Sequence, residues 1–358
     1  MKKSFFLPFF LLAGLLPLHS QAPAFSQFYA NPNTLNPAYV STVRGLDVAF
    51  GYRKQWGQVQ DGFTTKSASL ALRTCRAPLA FGFYANDISE SFFGYRWQEA
   101  GLLLSTFWAA PKDKFSVHGG LQAGLGQHRV DYARLLFSGQ LDPLFGVQGS
   151  PSPLFLTDGS SLQTFDVAAG LMARGNIEWS AGDFPASLGV AVHHLGGSRD
   201  VSFLGLDSRQ ARYWVLHSSL TTPIGSGRDE APLYLNWLAR LELESSLRRS
   251  ATGLIAQYDV AHLGLIYQWN RNPVVAGNTH ALTVVTGLHF KIGSKLACSL
   301  QYAFDGALSG LGQDATGGAH ELILQFSFPE ACVFGGKSPK GRTDCFHFIG
   351  KGYKPFLN

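Results

Sequence analysis

Apolar and polar residues alternate with a period of two along most of the chain. Residues 115–125 put Phe, Val, Leu and Ala on one face and Ser, His and Gln on the other, and residues 233–243 and 282–290 repeat this pattern. These segments run to about ten residues, as a tilted membrane strand requires, whereas soluble strands usually run to about five or six. The alternation therefore predicts spanning strands with an apolar face toward lipid and a polar face toward a lumen.

About fourteen such segments can be placed, so the predicted fold is all-β, a transmembrane antiparallel outer-membrane β-barrel of about fourteen strands. An even number of strands puts both termini on the same side of the membrane. The predicted strands lie near residues 45–55, 66–73, 77–86, 96–108, 115–127, 163–176, 186–194, 211–222, 233–245, 250–259, 260–270, 280–292, 295–304 and 320–328.

The connections between the predicted strands differ in length in a regular way. Every second connection is short, and the intervening ones are mostly longer, the longest running from about residue 128 to 162. Barrels of the bacterial outer membrane have short periplasmic turns and longer extracellular loops. We therefore expect periplasmic turns at residues 74–76, 109–114, 178–185, 223–232, 258–260 and 293–294.

The beginning of the chain has the pattern of an export signal. Lys2 and Lys3 precede an apolar run, residues 5–18, that Pro8 and Pro17 interrupt, and a small residue precedes Gln21. We expect residues 1–20 to be a signal peptide, which places the protein outside the cytoplasm. No later apolar run reaches about 18 residues, so no spanning helix is expected.

Composition agrees with an outer-membrane barrel and not with a nucleic-acid-binding protein. The chain has 40 Gly and 28 Phe, only 15% charged residues and a mean hydropathy of +0.04. Moderate hydropathy with abundant Gly and aromatic residues is typical of outer-membrane barrels. The net charge of +5 is modest and gives no indication of nucleic-acid binding.

Two further segments flank the predicted barrel at residues 44–328. Residues 21–43 contain the pairs Asn31-Pro32 and Asn36-Pro37. Residues before Pro avoid the helical region, and Asn favours turns, so we expect an extended, twice-bent arm or hatch at the periplasmic mouth. Residues 329–358 form a tail in which basic and aromatic residues interleave, and we expect it to be periplasmic.

No catalytic or metal-binding pattern is found. His193 and His194 are adjacent on a strand and are expected to point to opposite faces, so they cannot share one metal ion. His280 and His289 lack ligands at suitable spacing. We therefore expect no enzyme activity, no metal and no cofactor.

The most specific polar cluster lies at the end of the first predicted strand. Arg53 and Gln55 are expected to face the lumen, where Arg53 would pair with a carboxylate such as Glu242 or Glu321, while Trp56 is expected in the aromatic girdle. The ordinary interpretation is an interior ion pair; the functional one is a grip on a partner polypeptide. Arg240, Glu242 and Glu244 share a face, which predicts a charged network.

The four cysteines fall in different places. Cys298 alternates with lipid-facing residues and is expected to be free, and Cys75 lies in a short turn. Cys332 and Cys345 lie in the tail, where the periplasm permits disulfides, and we expect them to pair.

Three stretches resemble the PorP/SprF family of Bacteroidota outer-membrane proteins, which serve type IX secretion and gliding motility. They are FSQFYANPNTLNPAY at residues 25–39, YRKQW at residues 52–56 and GGAHELILQFSF at residues 317–328. They lie at the two ends of the barrel, so the resemblance spans nearly the whole mature chain. The Asn-Pro-Ala element alone is also similar to the start of FadL-like transporters.

The resemblance implies a non-enzymatic outer-membrane component that docks a secreted adhesin or the translocon, together with periplasmic ring proteins. It implies a hatch or docking role for the arm, with a structural plug as the alternative. The pair His320-Glu321 recurs in the family, which suggests a lumen or rim contact, with a rim hydrogen bond as the ordinary interpretation. A FadL-like transporter of small hydrophobic solutes is the alternative function, and a general porin is a weaker one. Partners would be outer-membrane lipid and secretion components, and no nucleic acid.

Overall fold

The computed structural model describes most of the barrel and the segment before it. The described residues are 25–58, 62–74, 77–90, 94–110, 115–131, 141–142, 144–147, 161–179, 182–196, 211–224, 233–244, 247–271, 278–292, 295–308 and 317–331.

Fourteen antiparallel strands close into one barrel, in which each strand pairs with its neighbours along the chain and the first pairs with the last. A small hairpin of two strands, β6 and β7, each two residues long, lies in the connection between β5 and β8. The strands are β1 (Leu46–Gln55), β2 (Phe63–Arg73), β3 (Leu79–Glu90), β4 (Tyr95–Ala109), β5 (Phe115–Val130), β6 (Leu141–Asp142), β7 (Gly146–Val147), β8 (Ser161–Trp179), β9 (Gly182–His193), β10 (Tyr213–Ile224), β11 (Leu233–Glu244), β12 (Leu247–Tyr258), β13 (Ala261–Arg271), β14 (Asn278–Ile292), β15 (Leu296–Ala307) and β16 (Ala319–Phe328).

The prediction of a fourteen-stranded barrel is confirmed, and each predicted strand end agrees with the observed one within four residues. Burial follows the predicted faces. On β5, Leu121 and Leu125 are exposed on the outside, whereas His118 and Gln122 are buried inside. The same alternation on every barrel strand gives an apolar outer surface, which lipid solvates. The interior combines polar side chains with a buried apolar core that includes Ile255, Ile266 and Ile323.

The two ends of the barrel differ. We call the end where β1 begins and β16 ends the near rim, and the opposite end the far rim. Every near-rim connection has eight or fewer residues, whereas the β5–β8 connection at the far rim spans thirty. The predicted asymmetry of the connections is therefore present in the structure.

One predicted connection, residues 178–185, has the wrong bounds: the strands on both sides extend into it. β8 continues to Trp179 and β9 begins at Gly182, so Pro185 lies within a strand and pairs with Asn176. The pairing of β9 with β10 starts only at Ala186. Pro185 therefore has a partner strand on one side only, a position at which proline is tolerated in a sheet.

None of the helices among the described residues is long and apolar enough to cross a bilayer. Cys298 is a free, buried thiol on the outer face of β15, between Phe290 and Phe326 of the neighbouring strands. The predicted signal peptide, Cys75 and the predicted pair Cys332 and Cys345 lie outside the described residues.

Candidate functional site

The arm before β1 folds into two short 3₁₀ helices, Pro32–Thr34 and Pro37–Thr42, each begun by one of the Asn-Pro pairs. Asn36 caps the second helix because its side-chain oxygen accepts a hydrogen bond from the Ala38 amide at 2.9 Å. Proline suits the first helical turn, since its missing donor has no partner there in any case. The expectation of an extended arm was therefore wrong: each turn continues as a tight helix.

The arm lies inside the lumen. Of the described residues 25–43, only Pro32 and Thr34 are partly exposed, and Gln27, Asn36 and Val40 are fully buried. The carbonyl of Leu35 contacts His193 Nε2 at 3.2 Å, at the end of β9 on the far rim. The arm therefore extends well beyond the mouth through which it joins β1.

A charged cluster holds the beginning of the arm. Arg53 pairs with Asp305 at 2.6 Å and with Glu321 at 2.9 Å. The two oxygens of Glu321 accept the backbone amides of Ser26 and Gln27, each at 2.9 Å. One buried arginine and two buried carboxylates thus fix the arm's backbone to β1, β15 and β16. Charge-assisted hydrogen bonds of this kind are shorter and stronger than neutral ones.

A second anchor holds the middle of the arm. Asn36 Nδ2 contacts His217 Nε2 at 2.9 Å and donates to the Leu171 carbonyl at 3.1 Å. The Tyr39 hydroxyl contacts His217 Nδ1 at 3.1 Å, and Ser41 contacts His118 at 2.8 Å. The buried histidines of the wall therefore find partners in the arm, and His118 also contacts Ser116 of the wall at 2.9 Å.

Inward-facing glycines make room for the arm. A Cβ on Gly120 would overlap the backbone of Pro37 and Ala38, and a Cβ on Gly170 would overlap the Asn36 side chain. Both glycines have ordinary extended backbone, so close approach, not conformation, requires them. The high glycine content therefore has a local cause at these positions.

A second charged cluster lies farther around the lumen. Arg249 pairs with Glu242 at 2.7 Å and with Glu244 at 3.8 Å, and Arg240 pairs with Glu242 at 3.3 Å. Arg240 also donates to the Phe25 carbonyl at 3.2 Å. The predicted network on this face is present, extended by Arg249, and it touches the arm.

The other residues singled out in the sequence fall in different places. Gln55 is 3.5 Å from Arg53 Nε, at the limit of a hydrogen bond. Asn31 Oδ1 accepts from Ser69 at 2.8 Å. Trp56 lies exposed beyond β1, with its ring edge-to-face against Phe63 at 5.4 Å.

The pair His320-Glu321 splits between two faces. Glu321 points inward, whereas His320 points outward and contacts the Tyr302 hydroxyl at 2.7 Å. Only Glu321 therefore belongs to the lumen, as the strand period requires.

The expectation that His193 and His194 point to opposite faces was wrong, because both side chains are buried inside the barrel. His194 follows the end of β9 with φ of +59°, which turns its side chain back inward. It contacts Asp166 at 2.8 Å, and both histidine rings pack on Tyr213, at 4.5 Å and 5.1 Å between centroids. Among the described residues no group of His, Cys, Asp or Glu has the arrangement of a metal site.

Asp305 was missed because the predicted strand ended at residue 304, whereas β15 continues to Ala307. The alternation itself continues through Ala303 and Asp305, so a longer strand would have placed this carboxylate in the lumen. Ser26 and His217 carry no signal in the sequence, because their roles arise only from contacts between the arm and the barrel.

The family described as "Type IX secretion system membrane protein PorP/SprF" matches residues 18–326. No curated protein sequence matches the chain. Among solved structures, the chain is similar to the Ralstonia pickettii toluene transporter TbuX, at 13% identity over 84% of this chain and 94% of that one, with a TM-score of 0.45. It is also similar to the CymD monoaromatic hydrocarbon channel, at 12% identity over 86% and 94%, with a TM-score of 0.44. At this level of similarity neither structure bears on function.

Proposed function

The chain belongs to the PorP/SprF family of type IX secretion system membrane proteins, and we propose that it acts in that machinery as a non-enzymatic docking barrel. Its lumen would hold its own arm instead of a solute pathway. Its exposed surfaces would bind the translocon or a secreted adhesin on one side and periplasmic ring proteins on the other.

The observation that carries this proposal is the occupied lumen. The Arg53, Asp305 and Glu321 cluster and the Asn36 and His217 anchor tie the arm to strands on both sides of the barrel. A transporter of hydrophobic solutes needs an apolar track. The described lumen carries arginine, carboxylate, histidine and amide side chains, and its apolar residues, such as Ile255, Ile266 and Ile323, pack in one core with Phe25 and Phe28 of the arm. Both features favour a binding role over passage of apolar solutes.

The orientation follows from the connections. Short connections at the near rim and long ones at the far rim fit periplasmic turns and extracellular loops, respectively. We infer that the start of β1, the end of β16 and the tail face the periplasm, and that the barrel lies in the outer membrane. The tail at residues 329–358 would then dock periplasmic components, with Lys337, Lys340, Arg342, Lys351 and Lys354 as its basic residues.

The test is a mild-detergent pulldown from native outer membranes. The full chain is compared with a chain that ends at Ala331, which keeps the turn in which the Ala331 amide donates to the Phe328 carbonyl. A third variant keeps the tail but replaces its five basic residues with Gln. This variant separates loss of charge from loss of length.

Periplasmic ring proteins or a large adhesin should co-purify with the full chain and be lost from both variants. If the Gln variant retains these partners and the truncated chain loses them, docking is assigned to the tail's aromatic residues. If all three samples hold only the barrel with bound fatty acid, the docking proposal fails and the transporter alternative replaces it.

A further inference from the structure

A cavity of about 80 Å³ lies between the arm and the far half of the barrel wall. Phe25, Phe28, Thr34 and Leu35 of the arm form one side, and strands β3, β4, β5 and β8–β12 form the other. This volume has room for a charged head group with a few water molecules. The secretion role proposed above uses no side chain of this cavity.

One wall of the cavity is electrically balanced. Arg240 and Arg249 face Glu242 and Glu244, at distances of 2.7 Å to 3.8 Å. Two guanidinium groups and two carboxylates leave no net charge on this wall.

The opposite wall carries two carboxylates, Glu99 and Asp166. Glu99 of β4 accepts a hydrogen bond from Asn86 Nδ2 at 2.6 Å, and Asp166 of β8 contacts His194 Nδ1 at 2.8 Å. The two carboxylates repel one another. Within the described part of the chain, neither forms an ion pair with Lys or Arg. Asp166 has the imidazole of His194 beside it, whereas Glu99 has the neutral amide of Asn86. A carboxylate held in a partly desolvated lumen without a cation is costly.

Unpartnered acceptors line the same wall. Asn86 Oδ1 and Gln122 Oε1 have no hydrogen-bond partner within the described part of the chain, although the two residues are only 9% and 7% exposed. Trp97 Nε1, in a residue that is 5% exposed, is a donor without a partner. Buried polar groups normally find partners, and one without a partner destabilises the fold. These three residues line one cavity, where a ligand would supply the missing partners.

Two glycines let side chains approach this wall closely. Gly124 and Gly126 of β5 lie between Glu99 of β4 and Asp166 of β8, since Glu99 pairs with Gly126 and Gly124 pairs with Asp166. A Cβ on Gly124 would overlap the Tyr84 hydroxyl, and a Cβ on Gly126 would overlap the Thr164 hydroxyl. The absence of side chains here therefore allows the Tyr84 ring to lie at the wall of the cavity.

We propose that this cavity receives a basic side chain, a lysine ammonium or arginine guanidinium, from a partner polypeptide; the assignment to a polypeptide rests on the docking function proposed above. Glu99 and Asp166 supply the opposite charge, and Asn86 and Gln122 accept the remaining N–H groups. The rings of Tyr84 and Tyr213 provide aromatic faces suited to a cation. Trp97 Nε1 donates to a backbone carbonyl beside the bound side chain, which a small amine lacks.

The test uses full-length protein purified in detergent and the peptide acetyl-Gly-Lys-Gly-amide. The matched ligand is the same peptide with Nε-acetyl-lysine, which keeps the shape and removes the charge. n-Butylamine serves as the small-amine probe. Binding is measured as the ligand-induced shift in melting temperature over a titration, which also yields the Kd.

The matched variants are Glu99→Gln in the cavity and Glu330→Gln on the exposed turn after β16. Glu99→Gln keeps the oxygen that accepts from Asn86 but removes one charge of the repelling pair. We expect it to raise the melting temperature without ligand and to weaken lysine-peptide binding by about tenfold or more. Glu330→Gln should change neither quantity.

The lysine peptide should bind to the wild-type protein, and the acetyl-lysine peptide should not. Equal binding of both peptides, or no loss in Glu99→Gln, would overturn the proposal. Binding of n-butylamine without the peptide would also overturn it, by assigning the cavity to small amines. These results are independent of the pulldown, so the cavity and the docking function can fail separately.

Discussion

Arg53 connects three parts of the chain that are far apart in sequence. Its guanidinium lies between Asp305 of β15 and Glu321 of β16, and it also donates to the Ser26 hydroxyl of the arm at 2.8 Å. One planar cation with several donors can satisfy all three partners, which a lysine could not do with the same geometry. The position therefore requires arginine for its shape as well as its charge.

Replacing Arg53 with Met should destabilise the protein by about 3–5 kcal/mol, because Asp305 and Glu321 would remain buried without a cation. The control is Arg96→Gln, which removes an exposed ion pair with Asp87 on the outer surface. That pair should contribute less than about 1 kcal/mol. The measurement is the free energy of unfolding of each variant in urea, in lipid vesicles. Equal losses in the two variants would mean that the lumenal cluster is not an anchor.

At the scale of elements, the arm packs closely against the barrel wall. Its second 3₁₀ helix, Pro37–Thr42, lies against β4, β5 and β8, where Gly120 and Gly170 leave space. The arm therefore depends on missing side chains as much as on the hydrogen bonds that it makes.

Gly120→Ala should push the arm away from the wall, because the added methyl would overlap the Pro37 and Ala38 backbone, which cannot rotate aside. Gly119→Ala is the matched control, since its neighbouring methyl would point outward and meet only Leu171 Cδ2 at 3.6 Å. A methyl forced into a packed interior costs about 1–3 kcal/mol. We expect chymotrypsin to cleave after Tyr29 or Tyr39 about tenfold faster in Gly120→Ala, as followed by mass spectrometry. Equal cleavage of both variants would contradict the packing described here.

The elements could be predicted because each spanning strand carries its own period-two signal. The strand ends could be predicted only to within a few residues. The predicted β15 ended one residue before Asp305, so this carboxylate was not assigned to the lumen. His194 was misplaced for a different reason: its positive φ breaks the alternation just after β9 ends. The local sequence contains no residue type that demands such a turn.

The path of the arm could not be predicted beyond its turns. The Asn-Pro pairs indicate where it bends, but its depth in the lumen depends on contacts with Glu321, His217 and Gly120, which lie 80 to 290 residues away along the chain. Such contacts have no local signature. The inward-facing glycines were visible in the sequence, but nothing there showed what they accommodate.

At the scale of the whole molecule, the apolar outer face determines where the protein can reside. Four leucines of the outer face are more than half exposed: Leu121 and Leu125 of β5, and Leu263 and Leu265 of β13. Exposure of these side chains is unfavourable in water and favourable in lipid. The fold is therefore stable only with a bilayer or detergent around it.

Leu121→Arg should weaken folding into lipid by about 2–4 kcal/mol, because the residue lies near the middle of β5 on the lipid face. The control is Leu144→Arg, in the turn between β6 and β7, where the side chain is 87% exposed. The measurement is urea-dependent refolding into vesicles of defined thickness. If both variants refold equally well, the outer face of β5 is not embedded in the bilayer.

The barrel and its arm bear on the choice between docking and passage. On the proposed function, an occupied lumen leaves the rims, the cavity beside the arm and the tail as the sites for partner binding. An open lumen would instead favour a transporter. The occupied lumen is the central claim of the proposed function.

The most direct measurement is ion conductance of the full-length protein in planar bilayers, with Gly120→Ala as the comparison. The wild-type barrel should show almost no open steps, and the variant should open more often because its arm is displaced from the wall. Steady open steps of equal size and frequency in both proteins would contradict the claim, since the arm would then not fill the lumen.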